Sequence, residues 1–518
     1  MATPQEKLAV SLETLQTLQR QGIVAIRSRH LSRTHRERLI RSGYLVEIMK
    51  GWYIPSDPAD KLGDSTPWYT SFWDFSAAYL TGRYGDDWCL SPKQSLSLHA
   101  GNRSVPSLLN LRAPKGDNKL TQLPHNTSLF AARYPMPDTE QIVKLSGLRI
   151  YSVPVALMTC TEAFFRQAPT DVRTAMATVK DASDLLTPLL AGGHSTLAGR
   201  IAGAFRNTGN DRIADEISKT MQAAGYTVRE TDPFDDQPHT AIVIRDASPY
   251  VNRLRLMWED MRDVVIDVFP PAPGRPKNQD AFMQAVNDAY VSDAYHSLSI
   301  EGYRVSTALI ERVRHGDWKP DIDSDDREQR DALAARGYFD AFESVKNSLI
   351  KVLAGENAGS VADNDHTDWY RQLFGPSVTA GIISAMDLAG YRNGPVYIRR
   401  SMHTPPPREA VRDCMPALFD LLAEETEPSV RAVLGHFVFV YIHPYMDGNG
   451  RIGRFLMNVM LASGGYPWTV MPVDKKDEYM ATLEEASVRN NIAAFAQLLS
   501  KLVQSRIDGT APPGIPGS

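Results

Sequence analysis

Residues 443–454 read His-Pro-Tyr-Met-Asp-Gly-Asn-Gly-Arg-Ile-Gly-Arg, a polar run set between two apolar stretches. Before it, residues 430–442 carry Ala432, Val433, Leu434, Phe437, Val438, Phe439, Val440, Tyr441 and Ile442, enough for a buried helix. After it, residues 455–461 are mostly apolar and rich in good helix formers. The pattern predicts a polar loop held between two buried helices.

Such a loop has definite chemistry. A Gly-Asn-Gly turn that feeds a helix leaves backbone N–H groups unpaired and aimed at one spot, with the positive end of the helix dipole behind them. Gly448, Asn449 and Gly450 therefore predict an anion cradle. Arg451 and Arg454, three residues apart, share one face of the following helix and add charge-assisted donors for phosphate oxygens. Asp447 is out of place among anion-binding groups unless a divalent cation bridges it to the same phosphates, as oxygen-liganded Mg2+ does. His443 is the side chain here suited to taking a proton near neutral pH. Singly, a His before Pro, a Gly-Asn-Gly turn and two arginines at a helix start are ordinary structural features. Together, in this order, they argue for a site.

The run resembles the Fic family signature, His-Pro-Phe-x-(Asp/Glu)-Gly-Asn-Gly-Arg-x-x-Arg, with Tyr445 in place of Phe. Flanking pieces resemble the family too: Ala389-Gly390-Tyr391-Arg392, then Val396-Tyr397-Ile398 and Pro405-Pro406-Pro407 look like its flap hairpin and proline-led helix, and Tyr479 with Leu483 like its Tyr-x-x-x-Leu helix. Fic-like sequence spans about 280–503. The resemblance implies transfer of a nucleoside monophosphate, most often AMP from ATP, to a hydroxyl of a protein. It assigns His443 as the base, Asp447 as the Mg2+ ligand, residues 448–450 as the phosphate cradle, and Arg451 and Arg454 to the β- and γ-phosphates. Val396, Tyr397 and Ile398 would align the target segment by strand addition.

Ser297-Leu-Ser-Ile-Glu301-Gly302 resembles the inhibitory motif of the same family, (Ser/Thr)-x-x-x-Glu-(Gly/Asn). Helical spacing puts Ser297 and Glu301 on one face. The resemblance implies that Glu301 pairs with Arg454 in the place of the γ-phosphate and holds ATP in an unproductive pose. In some relatives the same Glu supports removal of the modification.

At the other end of the chain, six arginines (Arg27, Arg29, Arg33, Arg36, Arg38, Arg41) and Lys50 stand against Glu37 and Glu47. The text there reads helix at 12–21, turn at Gly22, a basic helix at 32–41 with Ser32 as N-cap, a stop at Gly43, then strand, Lys50-Gly51 turn and strand. That order is a winged-helix pattern, and it makes Arg33, Arg36, Arg38, Arg41 and Lys50 candidate DNA contacts. Strand-like runs at 107–112, 127–133 and 148–153 follow a helix at 68–80. With pieces such as Leu98-His99-Ala100-Gly101 they resemble an AbiEi-type antitoxin region, which carries no nucleophile or metal constellation.

A chain of 518 residues is too long for one core. The expected class is multidomain: a mainly α-helical Fic domain with a β-hairpin flap, preceded by a winged helix-turn-helix and an α+β antitoxin-like domain. The expected divisions are 1–62, 63–240, a linker and connecting helix at 241–279, the Fic domain at 280–505, and a disordered Gly/Pro-rich tail at 506–518. Exposed stretches are expected at 230–239 and 321–328. With 43% hydrophobic and 23% charged residues, net charge −5, no apolar run of membrane length and no signal-peptide core, the chain reads as cytoplasmic, with no membrane partner. Cys89, Cys160 and Cys414 show no metal-ligand or disulfide spacing and read as small core residues. The functional reading is a protein adenylyltransferase restrained by Glu301, using ATP and Mg2+, with a protein substrate and DNA as partners; a homo-oligomer is left open. The alternatives are a DNA-binding regulator whose Fic fold senses nucleotide, or a Fic enzyme with another donor or with AMP-removing activity.

Overall fold

The computed structural model describes residues 3–58, 64–234, 248–316 and 326–516, so 235–239 and 321–325 of the two expected exposed stretches lie outside the described residues. The chain forms two compact units, Met1–Arg253 with Tyr397–Thr404, and Leu254–Val396 with Pro405–Ser518. Much of the expected linker at 241–279 is a helix, Pro249–Val268. Trp258 and Arg262 on that helix bind the Glu425 carboxylate at 3.2 and 2.9 Å, which explains why the second unit begins well before residue 280.

The first unit opens with α1 (Pro4–Arg20), β1 (Ile26–Arg27), α2 (Arg33–Arg41), β2 (Leu45–Met49) and β3 (Trp52–Pro55). α1 begins two turns earlier than its apolar pattern predicts, because Thr3 and Glu6 form a capping box. Ser32 caps α2 as expected, accepting from the His35 N–H. The three strands pair antiparallel in the order β1-β3-β2, and Leu15, Ile26, Leu31, Leu39, Leu45 and Tyr53 fill the core beneath them. Next come α3 (Thr66–Tyr84), β4 (Cys89–Leu90), α4 (Pro92–His99), β5 (Leu108–Ala113), β6 (Leu120–Gln122), β7 (Ser128–Arg133), β8 (Ile142–Leu145) and β9 (Leu148–Tyr151). β4 to β7 make a mixed sheet, order β4-β5-β7-β6, with β5 and β7 parallel, and β8-β9 is a hairpin. Six helices follow: α5 (Val153–Thr159), α6 (Glu162–Gln167), α7 (Pro169–Ala177), α8 (Ser183–Gly192), α9 (Ser195–Asn207) and α10 (Asp211–Ala223). The three cysteines are buried free thiols, as their spacing implied.

Tyr397–Thr404 packs with this first unit. Asp64 holds Arg399 at 3.2 Å and caps α3 through Thr66, the Arg400 N–H donates to Thr66 Oγ1, and the Val105 N–H donates to the Met402 carbonyl at 2.8 Å. The expected flap hairpin is therefore corrected. No strand forms between 391 and 407; Val396, Tyr397 and Ile398 are in irregular backbone, with the Ile398 carbonyl accepting the Ser401 N–H at 3.1 Å.

The second unit is helical: α11 (Pro249–Val268, most of which lies here), α12 (Gln279–Ile300), α13 (Thr307–Arg314), α14 (Asp326–Ala354), α15 (Ala358–Thr379), α16 (Arg408–Glu424), α17 (Pro428–Ile442), α18 (Asn449–Ser463), α19 (Lys476–Arg489) and α20 (Ala493–Ile507). α17 and α18 are buried on nearly every face, the mark of helices at the centre of a bundle. The described part of the tail is held, since Ser292 Oγ donates to the Pro513 carbonyl at 2.8 Å; the expectation of disorder there is corrected. Among the described residues no helix is long and apolar enough to cross a membrane.

α14 and α15 come close at Gly337, where an added Cβ would lie 2.0 Å from the Leu373 carbonyl oxygen. Gly337→Ala gains about 1 kcal/mol of helix propensity, but it forces two packed backbones apart at a cost of about 1–3 kcal/mol. Net destabilisation is expected in chemical denaturation, and an unchanged or raised midpoint would contradict this packing.

Candidate active site

α17 ends on His443, whose left-handed backbone (φ 53°) turns the chain out of the helix. Its Nδ1 lies 3.2 Å from the Val440 carbonyl. A carbonyl only accepts, so Nδ1 carries the hydrogen and Nε2 keeps the lone pair. Burial pushes the imidazole down to about 4, against a smaller upward pull from the Val440 bond. His443 is thus neutral at pH 7, the state a proton acceptor requires.

The loop after it is closed by Asn449, which is 2% exposed. Its Oδ1 accepts the Tyr445 N–H at 2.9 Å and its Nδ2 donates to the Tyr445 carbonyl at 2.8 Å. The Asn449 side chain is therefore a loop staple, and only its backbone is available to a ligand. Tyr445 keeps the aromatic anchor expected of it, stacked on Tyr370 with ring centroids 3.8 Å apart. Its hydroxyl, however, is buried with no hydrogen-bond partner. Gly448 caps α18 in the left-handed region (φ 82°), where a Cβ would also meet Phe374 at 2.7 Å.

α18 starts at Asn449, so its first-turn amides face the spot the sequence marked as an anion cradle. A carboxylate already lies there. A Cβ on Gly450 would sit 2.5 Å from Glu301 Oε1 and 3.1 Å from Arg454 Nη1. Arg454 Nη2 pairs with Glu301 Oε1 at 2.8 Å, and its Nε donates to Ser297 Oγ at 2.9 Å. Glu301 is the C-cap of α12 and Gly302 follows with φ 91°, which ends that helix beside α18. Burial raises the Glu301 carboxyl, but Arg454 and then Arg451 outweigh it, so the group stays below the usual carboxylate range and remains charged.

Donors are left over. Arg454 Nη1 and Arg451 Nε and Nη2 are buried without a hydrogen-bond partner. Arg451, 1% exposed, lies between the rings of Tyr303 and Phe374 at 5.3 and 5.0 Å, with Asp447 Oδ2 at 3.4 Å. Orphaned cationic N–H groups beside free helix amides suit a polyanion, whose oxygens would satisfy them. Asp447 is 63% exposed at the mouth. Among the described residues no cluster of three metal-ligating side chains occurs. A single exposed carboxylate beside a phosphate site nevertheless fits Mg2+, which fills its shell from phosphates and water.

Sequence reasoning missed the layer behind these residues. Asp293 precedes Ser297 by one helical turn on α12 and accepts from Tyr338 Oη at 2.7 Å; burial pushes its carboxyl up to about 6. His436 pairs with Tyr479 Oη at 2.7 Å, and Lys476 donates to the Ile300 carbonyl. The Asp293-Ser297-Glu301 spacing of four was a readable signal for the first of these.

The candidate DNA contacts divide. Arg38 reaches α1, its Nη1 donating to the Lys7 carbonyl and Ser11 Oγ at 2.7 and 2.8 Å. Arg36 bonds the Ser28 carbonyl and lies over Tyr53, and Arg33 pairs with Glu37 on the surface. Arg41 and Lys50 are exposed.

Residues 365–461, from within α15 to within α18, match the model of the Fic/DOC family. The chain carries a Fic/DOC domain. It is 27% identical over 258 residues to a protein adenylyltransferase Fic from Nematostella vectensis, covering 48% of this chain and 54% of that one. It is 25% identical over 237 residues to protein adenylyltransferase fic-1 of Caenorhabditis elegans, covering 45% and 43%. The chain thus spans about half the length of the curated relatives it matches. Among solved structures, Fic-1 from C. elegans aligns with TM-score 0.38 at 19% identity over 67% of this chain and 97% of that one. A Fic domain-containing signaling protein from Bacteroides thetaiotaomicron aligns with TM-score 0.37 at 17% identity over 50% and 95%.

Three outcomes follow from this geometry. Nitrogen-15 NMR of the histidine rings should show His443 as the neutral Nδ1–H tautomer at pH 6, and an imidazolium there would contradict the site. The sign for stability is the same. His443 and His436, both held down to about 4, stay neutral in the native state while the unfolded chain protonates, so stability falls as pH drops from 6.5 towards 4. Removing the orphan hydroxyl with Tyr445→Phe should raise stability by about 1 kcal/mol in denaturant titration.

Proposed function

We infer that this chain is a protein adenylyltransferase that moves AMP from ATP to a Ser, Thr or Tyr hydroxyl of a target protein and is restrained by Glu301. The observation that carries the reading is the anion position at the α18 N-terminus, shared by Arg454 and Glu301 with a neutral His443 on the preceding turn. In the reaction, His443 Nε2 takes the proton of the target hydroxyl as that oxygen attacks the α-phosphorus. The O–P bond to the target forms, the bond to the bridging oxygen breaks, and pyrophosphate leaves. The first-turn amides at 449–451 with Arg451 and Arg454 hold the phosphates, and a water-poor, prearranged donor set supplies most of the stabilisation. Asp447 would hold Mg2+, which neutralises charge on the transferring phosphates. Glu301 on Arg454 competes with the terminal phosphate and so restrains transfer.

The same proposal covers the target and the front of the chain. Residues 396–398 align the target segment. The helix, basic helix and hairpin of residues 4–55, with its β1-β3-β2 sheet, support a winged-helix reading, followed by an AbiEi-like region. Arg33, Arg36, Arg38, Arg41 and Lys50 are its DNA candidates, and the compartment is the cytoplasm. The nucleotide-sensing alternative leaves unexplained a neutral histidine beside the cradle, because a sensor needs no base.

Incorporation of label from α-labelled ATP with Mg2+ should rise at least about tenfold in Glu301→Gly, in line with the strength of a partly buried charge pair. It should vanish in Glu301→Gly with His443→Ala. Nucleotide binding with no label in any form would favour the sensor.

A further inference from the structure

Arg392 is 5% exposed and takes no part in the chemistry described above, yet its guanidinium touches the backbone on both sides of the base. Its Nε donates to the His443 carbonyl at 2.8 Å, and its Nη2 reaches the Ile442 carbonyl at 3.4 Å. Its own N–H donates to the Pro444 carbonyl at 2.9 Å. The same guanidinium donates from Nη1 to the Gly394 carbonyl at 3.2 Å and from Nη2 to the Pro406 carbonyl. Gly394 and Pro406 are the two stems of the segment that contains 396–398. One cation therefore fastens the end of α17, the turn at the base and both stems.

Two physical reasons make this more than packing. The last carbonyls of a helix have no intrahelical partner and carry the negative end of its dipole, so a buried cation there is favourable. A non-glycine residue in the left-handed region costs about 1–3 kcal/mol and persists only where its surroundings impose it; at His443 the surroundings include the Arg392 fork on its carbonyl. A planar guanidinium with donors in fixed directions can hold several carbonyls at once, and a lysine ammonium cannot.

We propose that Arg392 is a positioning residue that fixes the His443 turn, and with it the direction of Nε2, while closing the stem of the segment that presents the target. The kinetic part rests on the transferase reading; the structural part does not. Arg392→Lys keeps the charge and should lose the fork.

The test uses the full chain in the Glu301→Gly background, with and without Arg392→Lys. The expected result is that kcat falls at least about tenfold and the target KM rises, the scale expected when a reacting group is misplaced by under an ångström. ATP affinity by calorimetry should stay within about twofold, because no cradle donor is touched. Independently of turnover, the His443 ring signals of Arg392→Lys should change from the fixed Nδ1–H tautomer to an exchange average, with the other histidines unchanged. Unaltered ring signals, or full kcat and KM in the lysine variant, would overturn the proposal. If Glu301→Gly transfers no AMP, the transferase reading fails, and the ring signals still decide the role of Arg392.

Discussion

A guanidinium 4% exposed must have a partner, and Arg454 is the group around which the second unit is arranged. Leaving such a cation unpaired in a low-dielectric interior costs several kcal/mol, about 3–5 when one partner of a buried pair is removed. Ser297 satisfies part of it through Oγ and its carbonyl, and Glu301 supplies the charge. The Glu301 carboxylate therefore lies where free helix amides and two arginines also favour phosphate. By electrostatics alone that position suits either a carboxylate or a phosphate, which is the basis of the restraint proposed for Glu301.

The remaining geometry keeps that position sharp. α17 is apolar nearly all round, so it can only be a central helix, and its end fixes where the loop begins. Asn449 then folds 445–449 back on itself, and Tyr370 on α15 clamps the loop through Tyr445. α18 leaves this clamp with its N-terminus aimed at Glu301. The cost is visible in the strained φ of His443 and in orphaned donors on Arg451 and Arg454, the signs of a site whose ligand groups are held ready at the expense of the resting fold.

Much of this was legible in the sequence because the relevant signals are local. The apolar runs flanking 443–454 placed α17 and α18, the Gly-Asn-Gly order placed the cradle, and the four-residue spacing put Ser297 and Glu301 on one face, where both reach Arg454. What failed was whatever depends on distant partners. The segment 396–398 has strand-like composition, but its neighbours bond to Asp64, Thr66 and Val105, and no hairpin forms. That Arg38 Nη1 reaches Lys7 and Ser11 on α1 was likewise not visible in its own stretch of sequence. Asn449 was placed in the cradle through its backbone N–H, which stays available; that its side chain also bonds Tyr445 is not legible from the residue type alone. Arg392 was visible only as part of a resemblance, since nothing in its neighbourhood says that it reaches residues fifty positions away.

The most direct test is a crystal structure of the Glu301→Gly, His443→Ala variant with ATP and Mg2+. The account predicts phosphate oxygens bonded to the 449–451 amides and to Arg454, in the position that the Glu301 carboxylate holds in the native chain. A nucleotide bound elsewhere, or Arg454 left facing an empty position with ATP present, would contradict it.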